Sequence, residues 1–280
     1  VVFIDEAQDL TPLQWAMVEH FAETSQRLYL AGDDDQAIYR WLGADVERFI
    51  EYPAEEIVLP KSYRVKKEVQ AFAQQIIGVT KNRIQKTWDP QEENGVVKYH
   101  QTIDSIDLSK NNWLLLGRDK FILNKLEEAC RDQGLWYEKQ EYKNIVKPIA
   151  QRMFDAVIGW HELAKGEMVD KKTIKKVFFY KKVSDKYEEA LEKMNDSHLY
   201  DLDTLKVLFG PFSVGEWHHA LEKINIQDRA YLLRLGLGGD DITKKPRIKI
   251  STIHAAKGGE CDNVLLTTDM NIKTYNSYQK

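Results

Sequence analysis

The chain has 280 residues, 43% of them hydrophobic and 30% charged, which is apolar content for about two compact cores and excludes wholesale disorder. A mean hydropathy of -0.51, with no apolar run near the ~18 residues a membrane-spanning helix needs, sets aside such a helix and any membrane partner. The net charge of -4 hides an uneven split, about -10 over residues 1–60 and +6 over the rest. An acidic opening suits a cation and a basic remainder suits a polyanion, although ordinary surface scatter gives the same totals.

The sequence opens VVFIDEAQDL, without Met and inside a strand pattern. It therefore reads as a fragment, with no basic stretch before an apolar run to mark a signal peptide. Val1–Ile4 is a short buried strand ending at an acidic cluster. Pro12 opens a helix with Leu13, Met17, Val18 and Phe21 on one face. Leu28–Ala31 is the next strand, closed by Gly32; a helix follows over Asp45–Glu51, and Ile57–Leu59 predicts a third strand before Pro60. This rhythm is α/β with a parallel sheet. A second set has a helix over Val65–Ile77, strands at Val96–Tyr99 and Trp113–Gly117, and an amphipathic helix over Phe121–Gln133 stopped by Gly134. From Glu141 the texture turns helical and Lys-rich until Lys245-Pro246, after which Arg247–Ile253 and Asn263–Thr267 return to strand character. A helical insertion over 142–246 interrupting an α/β domain is the simplest topology.

Four segments carry chemistry. Asp5-Glu6-Ala7-Gln8-Asp9 follows a strand directly, where adjacent carboxylates can hold Mg²⁺ through water and polarise an attacking water. The same residues also suit an acidic turn before a helix, with Asp9 or Thr11 as its N-cap. In Gly32-Asp33-Asp34-Asp35-Gln36-Ala37-Ile38-Tyr39-Arg40-Trp41-Leu42-Gly43-Ala44-Asp45, Gln36 can bond a γ-phosphate, and Tyr39 and Trp41 can stack on bases. A lone tryptophan, however, is usually a packing residue. Ser62-Tyr63-Arg64 again follows a strand, so Arg64 can reach a transferring phosphate or simply pair with a surface carboxylate. Ile250-Ser251-Thr252-Ile253-His254-Ala255-Ala256-Lys257-Gly258-Gly259-Glu260 is a strand running into a small-residue loop, with hydroxyls, backbone N–H groups and Lys257 suited to phosphates.

In this order the four segments resemble the UvrD/Rep/PcrA-type superfamily-1 DNA helicases. DEAQD is similar to their Walker B motif, GDDDQAIYRWLGAD to the third motif, SYR to the fourth and ISTIHAAKGGE to the fifth. The resemblance is dense over 1–64 and 247–268, weak over 65–140 and absent over 142–246. It implies RecA-like parallel sheets with a helical inserted subdomain: residues 1–60 in a first motor domain, 61–141 with 247–280 in a second, and 142–246 as the insertion. It further implies ATP and Mg²⁺ as cofactors, with Asp5 as the Mg²⁺-linked carboxylate, Glu6 beside it as catalytic base, Gln36 as γ-phosphate sensor and Arg64 as arginine finger. Glu260 would approach the nucleotide. Tyr39 and Trp41 would stack on single-stranded DNA, with Thr252 and His254 contacting its backbone or coupling it to the ATP cleft. The implied partners are single-stranded DNA and its junction with duplex, the polarity 3′-to-5′.

The sequence departs from that pattern at Gly259, where Leu is usual, at Cys261 and at Ser62. No G-x-x-x-x-G-K-[ST] occurs, and nothing after Asp269 resembles the last motif. The chain alone is accordingly expected to lack DNA-stimulated ATPase activity. Two other readings stay open, the helicase portion of a RecB/AddA-type helicase–nuclease and a nucleic-acid-binding module without ATPase.

Weaker signals read as structure. Lys171, Lys172, Lys175, Lys176, Lys181 and Lys182 bracket Val177-Phe178-Phe179-Tyr180, either a duplex-contacting stripe or, as Asp185, Glu188, Glu189 and Glu192 favour, a solvated face over an aromatic core. His218-His219 lacks further ligands at zinc spacing. Cys130 and Cys261 form no CxxC pair, which sets aside a disulfide framework and points to a reducing, cytoplasmic setting.

Overall fold

The computed structural model describes residues 1–141, 144–182, 187–238 and 244–278, and they divide into two units, Val1–Gln101 and Thr102–Lys280. In the first, the opening apolar runs form two strands, β1 (Val2–Ile4) and β2 (Leu28–Leu30), paired parallel with Ile4 opposite Leu30. Helix α1 (Pro12–Thr24) connects them. Thr11 caps it, and a capping box with Gln14 satisfies backbone donors at both ends of the motif. The cap role left open between Asp9 and Thr11 thus falls to Thr11.

The alternation of the strands decides which side is covered. Ile4, Leu28 and Leu30 turn toward Trp15 and Val18 of α1, and Tyr52 stacks on the Trp15 ring at 5.4 Å. Phe3 and Tyr29 turn the other way, where they stack on each other at 4.8 Å and stay exposed. Helix α2 (Val46–Ile50) is capped by the Asp45 carboxylate, and the amphipathic α3 (Lys67–Ile77) follows.

Two expected strands of this unit do not form. Ile57–Leu59 and Val96–Tyr99 join no ladder, with Ile57, Leu59, Val96 and Tyr99 all at least 72% exposed. A β-branched run needs a neighbouring edge to become a strand, and among the described residues the nearby pairing is one parallel bridge, Lys61 with Asp89. Ion pairs described below, from Arg83 and Lys86 to Asp33, Asp34 and Asp35, tie residues 61–101 to 1–60 in one unit, whereas the sequence reading sets a domain edge after residue 60.

The second unit is built on a five-stranded sheet. Its order is β5 (Asn144–Val146), β4 (Tyr137–Glu141), β8 (Ile248–Thr252), β3 (Trp113–Gly117), β9 (Asn263–Leu266), parallel except for the β5 edge. Helix α4 (Lys120–Asp132) makes the crossover from β3 to β4 and buries Ile122, Leu123 and Leu126. Gly134 ends this crossover at φ 65°, and a Cβ there would meet the Arg234 carbonyl at 2.7 Å. Strand β4 escapes a hydrophobicity reading because Glu138 and Lys139 lie inside it. Both are buried, and Lys139 pairs with Glu127 of α4 at 2.8 Å.

Between β5 and β8 the described chain is mostly helical: α5 (Gln151–Ala164), α6 (Lys171–Phe179), α7 (Tyr187–Lys193), α8 (Leu202–Phe209), α9 (Trp217–Ala220) and α10 (Ile226–Gly238). A short antiparallel ladder joins β6 (Val169–Asp170) to β7 (Leu199–Tyr200), and α11 (Ile272–Tyr278) follows β9. One continuous core runs from Leu115 and Ile248 of the sheet to Trp160, Phe178 and Tyr231 of the helices. Cys130 lies in it as a packing residue, its thiol pushed up to about 12 by burial and by the Glu127 charge.

Candidate functional site

In the first unit, site residues gather where β1 and β2 end. Asp5 and Glu6 leave β1 side by side and exposed, and the Glu6 N–H donates to Asp5 Oδ1 at 2.9 Å. Glu6 holds a left-handed backbone, φ 52° and ψ 41°. A non-glycine residue rarely adopts that conformation, and it persists only where the surroundings fix it. Here the fixing residue is Gln8, which is fully buried in the turn and donates from Nε2 to Glu6 Oε2 at 2.6 Å.

Gln8 also reaches the other strand end. Its Oε1 accepts the Asp33 N–H at 2.9 Å, beside Gly32. A Cβ on Gly32 would lie 2.5 Å from that oxygen and 2.8 Å from the Phe49 ring, so only glycine lets the amide approach. Gln36 closes the chain by donating from Nε2 to Asp33 Oδ2 at 2.7 Å. Glu6 and Gln36 are therefore joined through Gln8 and Asp33. Sequence reasoning missed the linking role of Gln8; its one signal was an amide inside an otherwise acidic turn.

Past Gln36, Tyr39 is half-buried and Trp41 is 65% exposed, on a turn ended by Gly43 at φ 93°. Arg64 is exposed on the turn after the Lys61 bridge, where Ser62 Oγ accepts its backbone N–H at 3.3 Å. Asp5 and Glu6 suit a largely hydrated Mg²⁺, since two neighbouring carboxylates open to water leave room for its shell. Among the described residues no three His, Cys, Asp or Glu side chains form a metal-holding group.

The second unit carries its own strand-end loop, after β8. Ser251 is buried at the strand end, and Thr252 Oγ1 accepts the Ala255 N–H at 3.1 Å. Ile253 N–H donates to the Gly117 carbonyl of β3 at 3.1 Å, anchoring the loop to the neighbouring strand. Thr252, His254 and Lys257 are half-buried and Glu260 is exposed, all within this one loop, which turns at Gly258 with φ 79°. Burial, aided by the Arg118 charge and opposed by Asp119, holds the His254 imidazole below its ordinary 6.5, so it is neutral at pH 7.

Three of the six lysines in the stripe are spent on structure, while Lys172, Lys175 and Lys182 are exposed. Lys171 donates to the Met194 carbonyl at 2.7 Å and pairs with Asp196 at 3.1 Å, while Lys176 pairs with Asp155 at 2.6 Å. Lys181 is fully buried, bonded to the Ser213 and Ala220 carbonyls at 2.7 and 2.9 Å, with its ammonium 4.6 Å from the Trp160 ring. Asp185 lies outside the described residues. Of the histidine pair, His218 packs edge-on to the buried Trp217 ring at 5.7 Å. No described helix is long and apolar enough to cross a membrane.

The class follows from this geometry. It is an α/β protein with parallel-dominated sheets whose polar candidates stand at the carboxyl ends of strands, where such sheets bind ligands. Residues 1–55 match the UvrD/REP helicase N-terminal domain family. The chain is 25% identical over 192 residues to the ATP-dependent DNA helicase PcrA of Bacillus subtilis, a stretch covering 64% of this chain and 24% of that protein. It is 30% identical over 139 residues to DNA helicase II of Escherichia coli, covering 48% of this chain and 18% of that one. Over these stretches the chain is a relative of the UvrD/PcrA-type helicases, and it spans about a quarter or less of their length.

Proposed function

We propose that this chain is part of an ATP-dependent DNA helicase or translocase that couples ATP hydrolysis to movement along single-stranded DNA. The observation that carries the reading is the hydrogen-bonded chain Glu6–Gln8–Asp33–Gln36 across two parallel strand ends. It puts a carboxylate able to accept a proton from water and an amide able to contact a terminal phosphate under one constraint. Names of the relatives, DNA helicases that include an ATP-dependent one, support the same chemistry.

Within this reading Asp5 and Glu6 face Mg²⁺, which when bound offsets phosphate charge. Glu6 accepts the proton of the attacking water, Gln36 senses the γ-phosphate and Arg64 approaches the transferring phosphate. Trp41 and Tyr39 stack on unpaired bases. Thr252, His254 and Lys257 grip the DNA backbone, and Glu260 stands toward the nucleotide. The two-motor RecA-like division with a helical insertion, the junction substrate and 3′-to-5′ polarity extend the resemblance in the motifs. Without a G-x-x-x-x-G-K-[ST] loop in the sequence, the chain by itself turns over no ATP.

Binding of a single-stranded oligonucleotide, followed by tryptophan fluorescence, tests the reading. Trp41→Ala should weaken binding by about 1–3 kcal/mol, the worth of one stacked base, and leave the folded state intact because the ring is exposed. Unchanged binding would refute the stacking role. ATP turnover by the chain, abolished by Glu6→Gln, would refute its inactivity.

A further inference from the structure

The acidic run Asp33-Asp34-Asp35 between β2 and Gln36 is neutralised from within the chain. Arg83 forks onto Asp35, Nε to Oδ1 at 2.8 Å and Nη2 to Oδ2 at 2.6 Å, with its side chain only 6% exposed. Lys86 inserts its ammonium among all three carboxylates, at 2.8 Å from Asp33 and 3.2 Å from Asp35, and in closest contact with Asp34. The Ile84 N–H adds a bond to Asp34 Oδ2 at 2.8 Å. Three adjacent carboxylates repel one another, so the turn that carries Gln36 keeps its shape only with a cation at its centre.

This cluster shares Asp33 with the site. Lys86 holds Asp33 Oδ1, Gln36 donates to Asp33 Oδ2, and the Asp33 N–H runs through Gln8 to Glu6. We infer that Lys86 and Arg83 are positioning residues, which set the orientation of Gln36 and, through Asp33 and Gln8, that of Glu6. The inference deepens the proposed function and rests on it for the roles of Glu6 and Gln36. The mechanical claim concerns this chain alone.

The orientation is supplied from the 83–86 segment and not from the site's own loops. A bidentate guanidinium fixes a carboxylate in direction as well as distance, which locks Asp35. The ammonium, a point charge, sets the spacing of the three carboxylates. Any displacement of residues 83–86 therefore reaches Gln36 through Lys86 and Asp33.

The side-chain amide NMR signals of Gln8 and Gln36 in the intact chain test this. Lys86→Met should displace both amide pairs from their positions in the unaltered chain, and Lys86→Arg should restore them in large part. Arg83→Lys, which keeps the charge and loses the fork, should displace Gln36 more than Gln8 and serves where Lys86→Met does not fold. Amides left in place by Lys86→Met or Arg83→Lys, with only the unfolding midpoint lowered, would overturn the inference and leave the pair structural. Binding of a single-stranded oligonucleotide tests the underlying reading separately. Binding that is indifferent to Trp41→Ala, with a Gln36 amide that still moves in Lys86→Met, would sink the nucleic-acid reading and keep the positioning.

Discussion

The unit of residues 1–101 and the unit of residues 102–280 hold their strand ends by opposite means. In the first, three core residues, Ala7, Trp15 and Val18, sit under the two strands, and the loop beyond is fixed by carboxylates, an ammonium and a guanidinium. In the second, a continuous apolar core from Leu115 to Tyr231 supports the sheet, and the loop after β8 is anchored by backbone bonds to β3. A polar clamp gives direction to side chains but depends on protonation; an apolar core gives stability with little pH dependence. Placing Glu6 and Gln36 on the clamped side puts the directional part of the molecule where chemistry would need it.

Removing the largest apolar anchor is the strongest way to break the contrast. Trp160→Ala in α5 deletes a fully buried ring whose Nε1 bonds the Gly215 carbonyl at 2.8 Å. It should cost about 3–5 kcal/mol, as buried aromatic truncations do. Denaturant unfolding followed by hydrogen exchange should locate the loss in residues 102–280. A loss shared equally with residues 1–101 would contradict the separation of the cores.

The two units should also answer pH in different ranges. Burial pushes the Asp35 carboxyl up, but the Arg83 fork and the Lys86 charge outweigh it and hold it below its usual 3.8. Its stabilisation is present above that value and is lost as pH falls through the depressed one, so the first unit loosens in acid. Lys181 gives a slope of the same sign, in an alkaline range and from a different cause. Burial holds its ammonium below the ordinary 10.5 against the pull of Glu222, so the second unit gains stability as pH rises toward 10.5. Lys181→Met should flatten that alkaline rise and leave the acid limb of the first unit unchanged; an unaltered slope would show that Lys181 is not its source.

A smaller effect sharpens the comparison at the helix that covers the first core. Thr11→Ala removes the capping box of α1 and should cost about 1 kcal/mol. Because α1 carries Trp15 and Val18, exchange protection at β1 and β2 should fall with it. Protection that stays constant would mean the ion cluster alone holds the strands.

Much of the fold is legible in local pattern. Strand β3 falls at Trp113–Gly117 as the sequence predicts, and the helices at Pro12 and before Gly134 follow from proline and glycine, although α1 buries Trp15 and Val18 and leaves Leu13, Met17 and Phe21 of the expected apolar face exposed. Ile57–Leu59 misleads because strand propensity is only a capacity to pair, and no described neighbour takes it up. Strand β4 hides for the converse reason, since Lys139 and Glu127 neutralise each other only after the crossover brings them together. At the site, the residue types of Asp5, Glu6, Gln36, Tyr39 and Trp41 are visible from the motifs, while the tie from Gln8 to Asp33 is not.

By itself the sequence determined the parallel α/β alternation, the acidic and amide groups at strand ends and the kinship those motifs carry, because each is written in neighbouring residues. Only the tertiary structure decided that Arg83 and Lys86 neutralise Asp33, Asp34 and Asp35, and that Lys176, Lys171 and Lys181 near α6 meet Asp155, Asp196 and the Trp160 ring. Charge pairing acts through space over a few ångströms. Partners about 50 or 20 positions apart along the chain have no local spacing that announces them.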